Sequence, residues 1–70
     1  MDKIVLFNEA YCKNGICEAR PILINLREVD AVYMSDDNVH TMISMKSGNC
    51  FKLKEKLEDV FRKMELEGLA

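Results

Sequence analysis

Three cysteines and a single histidine are the side chains in this sequence that could exchange disulfides or bind a metal ion. Cys12 and Cys17 flank Asn14-Gly15, a dipeptide typical of a two-residue type I′ turn between antiparallel strands. Such a turn places both cysteines opposite each other at a non-hydrogen-bonded position, with Cα atoms about 4.5 Å apart, which a disulfide can span. The pair predicts either a reversible disulfide acting as a thiol redox switch, or two small side chains near a hairpin tip.

A zinc site would need Cys12, Cys17, His40 and Cys50 to act together. Structural zinc ligands usually come in closely spaced pairs from two loops. In the strand register derived below, His40 and Cys50 lie about four residue steps apart, more than ~10 Å at the rise of a β-strand. We therefore expect no metal ion and no cofactor.

No catalytic constellation follows from the remaining polar residues. His40 has no serine or acid at the spacing that acyl transfer requires. Asp36-Asp37 fits turn chemistry, and Lys46-Ser47-Gly48 is a turn, because a phosphate loop needs its glycine-rich stretch between a strand and a helix. We expect no catalytic residues, and a protein that is not an enzyme.

Residues 3–26 predict a first hairpin, with strands over 3–12 and 16–26. The two-residue turn sets Glu9 opposite Arg20 and Phe7 opposite Ile22, which pairs opposite charges and apolar side chains. Pro21 falls at a non-hydrogen-bonded position, so its missing N–H would point to an unpaired edge. Residues 25–28 predict a bend.

Residues 29–53 predict a second hairpin and a third strand. A two-residue turn at Asp37-Asn38 joins strands 29–35 and 39–45, and a three-residue loop at 46–48 takes Gly48 in the left-handed conformation. These two turns set Met34 opposite Thr41 and Ile43 opposite Phe51. They predict one inward face, formed by Val32, Met34, Val39, Ile43, Phe51 and Leu53.

Helical spacing follows over residues 54–67, before a stop at Gly68. The apolar face of this helix comprises Leu57, Val60, Phe61 and Met64. We predict one α+β domain over residues 1–70. It consists of a mainly antiparallel sheet of four or five strands, with one C-terminal helix packed on one face.

Composition excludes several partner classes. Twelve acidic and ten basic residues are interspersed and give a net charge of −2, so no basic block favours phosphate neutralisation. No apolar run reaches the roughly 20 residues that cross a membrane, and the start lacks the positive charge of a signal peptide. The odd cysteine count fits a reducing compartment. We expect a cytoplasmic, bacterial-type protein without membrane contact.

The outward sheet face predicts a contact surface. It carries Ala31, Tyr33, His40, Met42, Ser44, Cys50 and Lys52. Tyr33 and Met42 pair directly and form an apolar centre, with His40 beside them, and exposed clusters of this type are typical contact material. We expect a protein partner or a homodimer, with Tyr33, Met42 and His40 in the middle of the contact. The alternatives are ordinary scattered apolar surface, or burial of this face beneath the first hairpin.

Residues 24–64 resemble two bacterial groups. Asn25, Val29, Ser47-Gly48 and residues 57–60 match positions in small FlbD-like flagellar proteins and related proteins, which implies a β-sheet followed by one helix. The same segment is similar to the first half of LytTR DNA-binding domains. That likeness implies nucleic-acid binding as the alternative function, with phosphate contacts from Lys46, Lys52, Lys54 and Lys56.

Overall fold

The computed structural model describes residues 3–66 and has five strands and one helix. They are β1 (Ile4–Lys13), β2 (Ile16–Asn25), β3 (Val29–Met34), β4 (Thr41–Met45), β5 (Cys50–Leu53) and α1 (Leu57–Met64). All strand pairs are antiparallel, in the order β2-β1-β5-β4-β3. The predicted α+β class is confirmed. Within residues 3–66, no helix has the length and apolar character needed to cross a membrane.

The first hairpin has the predicted register. Cys12 lies opposite Cys17, and Glu9 lies opposite Arg20. Asn14 and Gly15 adopt φ values of 55° and 80°, the two positive angles that a type I′ turn requires. Local turn chemistry is therefore sufficient to set the pairing of both ten-residue strands.

The second hairpin has the predicted pairing but a longer connection. Met34 lies opposite Thr41, and Ile43 lies opposite Phe51 across the next turn, where Gly48 has φ 99°. The strands end before the expected two-residue turn, and Ser35 N–H donates to the His40 carbonyl across 2.9 Å. The loop is thus wider than predicted, because Asp37 organises its backbone, as described below.

The sheet curls so that its outer strands approach each other. β2 and β3 are the outermost strands, yet the 3-10 turn Leu26–Glu28 joins them directly. Asn25 begins this turn, since its Oδ1 accepts the Arg27 N–H at 3.1 Å, and the bend predicted here is confirmed. Three residues span at most about 10 Å. The two edges must therefore be close at this end of the molecule.

The core lies inside this curl. It consists of Val5, Phe7, Ile24, Leu26, Ile43, Leu53 and Val60. The strands and the connecting turn supply most of these side chains, and α1 contributes Val60, which is fully buried. The helix consequently covers the concave side of the sheet.

The helix is shorter than predicted. It begins at Leu57 instead of residue 54 because the preceding residues are bonded to the sheet. Lys54 N–H donates to the Asn8 carbonyl (2.7 Å), and Thr41 Oγ1 donates to the Glu55 carbonyl (2.7 Å). The regular helix ends at Met64. The predicted end at residue 67 and the stop at Gly68 lie outside the described residues.

Three side chains predicted to face inward are exposed instead. Phe61 is 62% exposed, because Val60 occupies the centre of a two-turn helix and Phe61 follows about 100° around its axis. Met34 and Val39 are 45% and 62% exposed. They lie where the β3–β4 hairpin extends past the helix, and they line an open groove with Leu57.

Candidate protein-contact surface

The outward sheet face forms a lateral row across three strands. Tyr33 on β3 lies opposite Met42 on β4, and Met42 lies opposite Lys52 on β5. Tyr33 is 46% exposed, whereas Met42 and Lys52 are half-buried. We call Tyr33, Met42 and Lys52 the outer row. Its register is the one predicted from the turns.

The first hairpin does not cover the outer row. β1 pairs with β5 through Glu9 and Leu53, so the hairpin extends the same sheet sideways. The alternative in which the hairpin buries this face is therefore wrong. Among the described residues, no element packs over Tyr33, and the face is open to solvent.

His40 lies at the border of the outer row and organises the loop before β4. Its Nδ1 lies 2.6 Å from Asp37 Oδ2, and its side chain is mostly buried. Asp37 Oδ1 accepts the backbone N–H groups of Val39 and His40, both at 2.9 Å. His40 therefore acts on this face through Asp37, and not as the exposed centre that the sequence suggested.

The Asp37 carboxylate is the charged centre of the loop. Hydrogen bonds from the His40 backbone, the His40 side chain and the Val39 backbone hold the pKa of Asp37 far below its ordinary value. Lys52 Nζ lies 3.7 Å from Asp37 Oδ2. Sequence reasoning assigned Asp37 only to a turn. The hydrogen bonds from backbone N–H groups to its side chain agree with that turn assignment. Its proximity to Lys52 of the outer row depends on which strands lie side by side in the sheet.

The surface combines an apolar centre with a polar rim. One shallow depression is lined by Tyr33, Ser35, Asp36, Asp37, Met42 and Lys52. An aromatic ring and a thioether supply contact area, while the ammonium and the carboxylates supply directional polar partners. The arrangement suits recognition of another protein surface.

The four lysines expected to contact phosphates differ in their surroundings. Lys46, Lys54 and Lys56 are exposed, whereas Lys52 is half-buried and near Asp37. The Asp37 carboxylate offsets the Lys52 charge where it borders the outer row. Lys52 and the neighbouring Asp37 thus give the outer row and its border a mixed charge.

The structure brings together only part of the sulfur set considered for zinc. Cys12 and Cys17 are joined by a disulfide at an exposed position, with Cα atoms 3.9 Å apart, whereas Cys50 is a separate exposed thiol. Among residues 3–66, no three His, Cys, Asp or Glu side chains converge on a point that could hold a metal ion. The two cysteines expected to meet across the hairpin do so.

The hairpin end that carries this disulfide has side-chain contacts but little core beneath it. Arg20 Nη2 lies 2.7 Å from Glu9 Oε1, as the predicted cross-strand pairing implies. The Arg20 guanidinium also covers the Tyr11 ring at 4.4 Å, which sequence reasoning missed. Residues 11–21 are all exposed, and we call them the arm.

Comparison with known proteins gives no match for this chain: no family model, no curated protein and no solved structure is significantly similar. The resemblance of residues 24–64 to FlbD-like proteins and to LytTR domains stays a prediction.

Proposed function

We propose that this protein is a small, non-enzymatic accessory or regulatory protein that acts through protein–protein contact. The observation that carries the proposal is Tyr33, half-exposed beside Met42 on a sheet face that no described element covers. Tyrosine is enriched in binding hot spots, and methionine adapts to partner surfaces of different shape. A homodimer is the simplest such assembly.

The chemistry of the rim favours a protein partner over a nucleic acid. Asp36 and Asp37 stand at one end of the depression, and Lys52 is close to Asp37. Phosphate binding needs unopposed positive charge, whereas protein interfaces use mixed polar rims around an apolar centre. Binding that weakens steeply with added salt would instead support the nucleic-acid alternative.

The substitutions Tyr33→Ala and Met42→Asp test the proposal. Both should abolish association while the circular dichroism spectrum and the unfolding midpoint show a folded chain. Light scattering reports self-association against the 8.1 kDa monomer mass, and a pull-down reports a different partner. Tyr11→Ala is the matched control, since Tyr11 is 40% exposed on the arm, away from the outer row. Unfolding of both test variants, or unchanged association, would contradict the proposal.

The exposed disulfide supports a thiol switch as a second candidate function. Cys12 and Cys17 can pass between disulfide and dithiol by exchange with an external dithiol. In that step the external pair becomes a disulfide, and both protein sulfurs gain a hydrogen. A two-stranded hairpin is marginal in water, so reduction should loosen the arm while the core stays folded.

A thiol count in defined redox buffers tests this second candidate. The oxidised chain should show only the Cys50 thiol, and the reduced chain should show all three. Cys50→Ser is the control, because it removes the separate thiol and leaves the pair. A pair that remains reduced under mild oxidant would end the switch hypothesis.

A further inference from the structure

The outer edge of β3 has backbone groups without a protein partner. Along an antiparallel pair, residues that bond to the neighbouring strand alternate with residues that direct their backbone groups away from it. The hydrogen bond between Ser35 and His40 shows which β3 residues are of each kind. Tyr33 therefore exchanges its backbone bonds with Met42, whereas Val32 and Met34 direct N–H and C=O away from β4. Among residues 3–66, none of the hydrogen bonds outside the strand ladders involves these groups. This edge can accept another strand.

The opposite edge of the sheet is blocked. Pro21 lies in the middle of β2, opposite Asn8, at a position whose N–H would point outward. Proline and basic side chains are common protections of free edges, and β3 carries neither. An irregularity between Val29 and Ala31 limits its usable edge to residues 31–34. One edge of the sheet is thus available, over a defined short stretch.

We propose that β3 pairs in antiparallel orientation with β3 of a second copy, around a two-fold axis at Tyr33. This inference rests on the proposed function, because it names the partner and the mode of the protein contact. In this register Val32 lies opposite Met34 of the second copy, and both residues present outward backbone groups. Each such pair exchanges both of its backbone hydrogen bonds. A two-fold interface uses the same patch on both copies, which a single self-paired strand provides.

The other symmetric registers are less favourable. An axis at Val32 would bring Asp30, at the irregularity, opposite Met34 and lose the regular ladder there. An axis at Met34 would place Val32 opposite residue 36, which lies in the loop beyond the strand. Only the register with its axis at Tyr33 pairs residues whose backbone groups point outward and which lie in regular strand in both copies.

The same contact accounts for three exposed side chains. Tyr33 would face Tyr33 of the second copy at a non-hydrogen-bonded position, where cross-strand side chains come closest. On the concave side, Met34 and Val39 stand at this edge and line the open groove. A second copy would cover this groove. Met34 and Val39, whose exposure the sequence did not predict, would then be buried in the assembly.

Charge gives the contact a specific salt response. The register places Asp30 of one copy opposite Asp36 of the other, so like charges meet at both ends of the paired strands. Salt screens such repulsion. Self-association should therefore strengthen as salt is added, which is opposite in sign to binding through phosphate contacts.

The experiment compares Met34→Pro with Met34→Ala by analytical ultracentrifugation of the full chain. Both variants remove the Met34 side chain, but only proline removes the outward N–H. The Met34 N–H makes no bond to β4, and the preceding residue is already extended, so proline is tolerated there. At the same salt concentration, the proline variant should dimerise with a dissociation constant about tenfold or more above that of the alanine variant.

Hydrogen exchange on the unmodified protein keeps the test independent of how the variants fold. The amides of Val32 and Met34 should gain protection as protein concentration rises, whereas the Tyr33 amide, already bonded to β4, should change little. Equal dimerisation of both variants, or exchange at Val32 and Met34 that ignores concentration, would overturn the edge pairing. A chain that stays monomeric, yet loses a different partner on Tyr33→Ala, would overturn this inference and leave the proposed function standing.

Discussion

At the residue scale, Asp37 links the conformation of the β3–β4 loop to the outer row. Its carboxylate accepts two backbone N–H groups, contacts His40 and lies near Lys52 of the outer row. An ionised acceptor satisfies these donors better than a neutral one, which is why the pKa of Asp37 lies below its ordinary value of 3.8. The conformation of the loop between Ser35 and His40 depends on this charge. The bond between these two residues in turn determines which backbone groups of β3 point outward.

Asp37→Asn tests the contribution of this charge to stability. A carboxylate with a lowered pKa stabilises the fold fully above its ordinary pKa, and this contribution is lost as pH falls toward the folded-state pKa. The wild-type advantage over Asp37→Asn in urea unfolding should therefore be constant above about pH 4 to 5 and shrink at lower pH. Asp36→Asn is the control: Asp36 accepts no hydrogen bond within residues 3–66, so at pH 7 this variant should be close to wild type in stability. A difference between wild type and Asp37→Asn that does not change with pH would contradict this role.

At the element scale, side chains complete the ladder of β1 beyond the end of β5. Glu55 accepts the Asn8 backbone N–H through Oε1 (3.1 Å) and Oε2 (3.0 Å). Lys63, from α1, donates to the Leu6 carbonyl and lies 3.7 Å from Glu55 Oε2. These contacts satisfy strand groups that would otherwise lack a partner. They also connect the helix to β1.

Glu55→Ala should lower the free energy of unfolding by about 0.5–1.5 kcal/mol, because it removes the carboxylate that accepts the exposed Asn8 backbone N–H. Urea unfolding measures the loss, and faster hydrogen exchange at the Asn8 amide would locate it. Glu58→Ala is the matched control, since Glu58 is exposed in the first turn of α1, three residues after Glu55, and forms no hydrogen bond or ion pair within residues 3–66. It should change stability by less than about 0.5 kcal/mol. An equal effect of both substitutions would count against the role of Glu55.

The elements differ in how far the sequence predicts them. Asn14-Gly15 and Gly48 set their hairpins because a turn of given length determines which residues pair, and this information is local. The pairing of β1 with β5 joins segments far apart in the chain, and no local pattern specifies it. The helix spacing likewise identified Val60 but could not separate it from Phe61, since both fit an apolar stripe until the sheet beneath selects one.

The outer row was also predictable only in part. Tyr33 and Met42 were predicted to pair because the turn fixes their register. The exposure of that pair depends on where the first hairpin lies, which the sequence left open. The position of His40 at the border of the outer row depends on its contact with Asp37, three residues earlier. From sequence alone, the wider loop could not be distinguished from a two-residue turn, because both give the same strand register.

At the scale of the whole molecule, curling of the sheet makes a core possible in a chain of 70 residues. If the sheet were flat, one two-turn helix would leave most of the sheet face that it packs on exposed. The short link between β2 and β3 draws the outer strands together, and Leu26 within that link is buried in the core at 4% exposure. Two bonds anchor the link, from Leu26 N–H to Lys3 (2.8 Å) and from Lys46 N–H to Glu28 (2.7 Å).

Leu26→Ala should therefore destabilise the whole fold, by about 2–5 kcal/mol, because it leaves a cavity where the two ends of the sheet meet. Leu23→Ala is the matched control: it removes the same atoms three residues earlier on β2, where the side chain is 67% exposed, and should cost less than about 0.5 kcal/mol. Urea unfolding of both variants at one protein concentration gives the comparison. Similar losses would mean that the core does not depend on the link. A large loss for Leu26→Ala alone, with faster hydrogen exchange in both β2 and β3, would show that this turn holds the curled sheet closed.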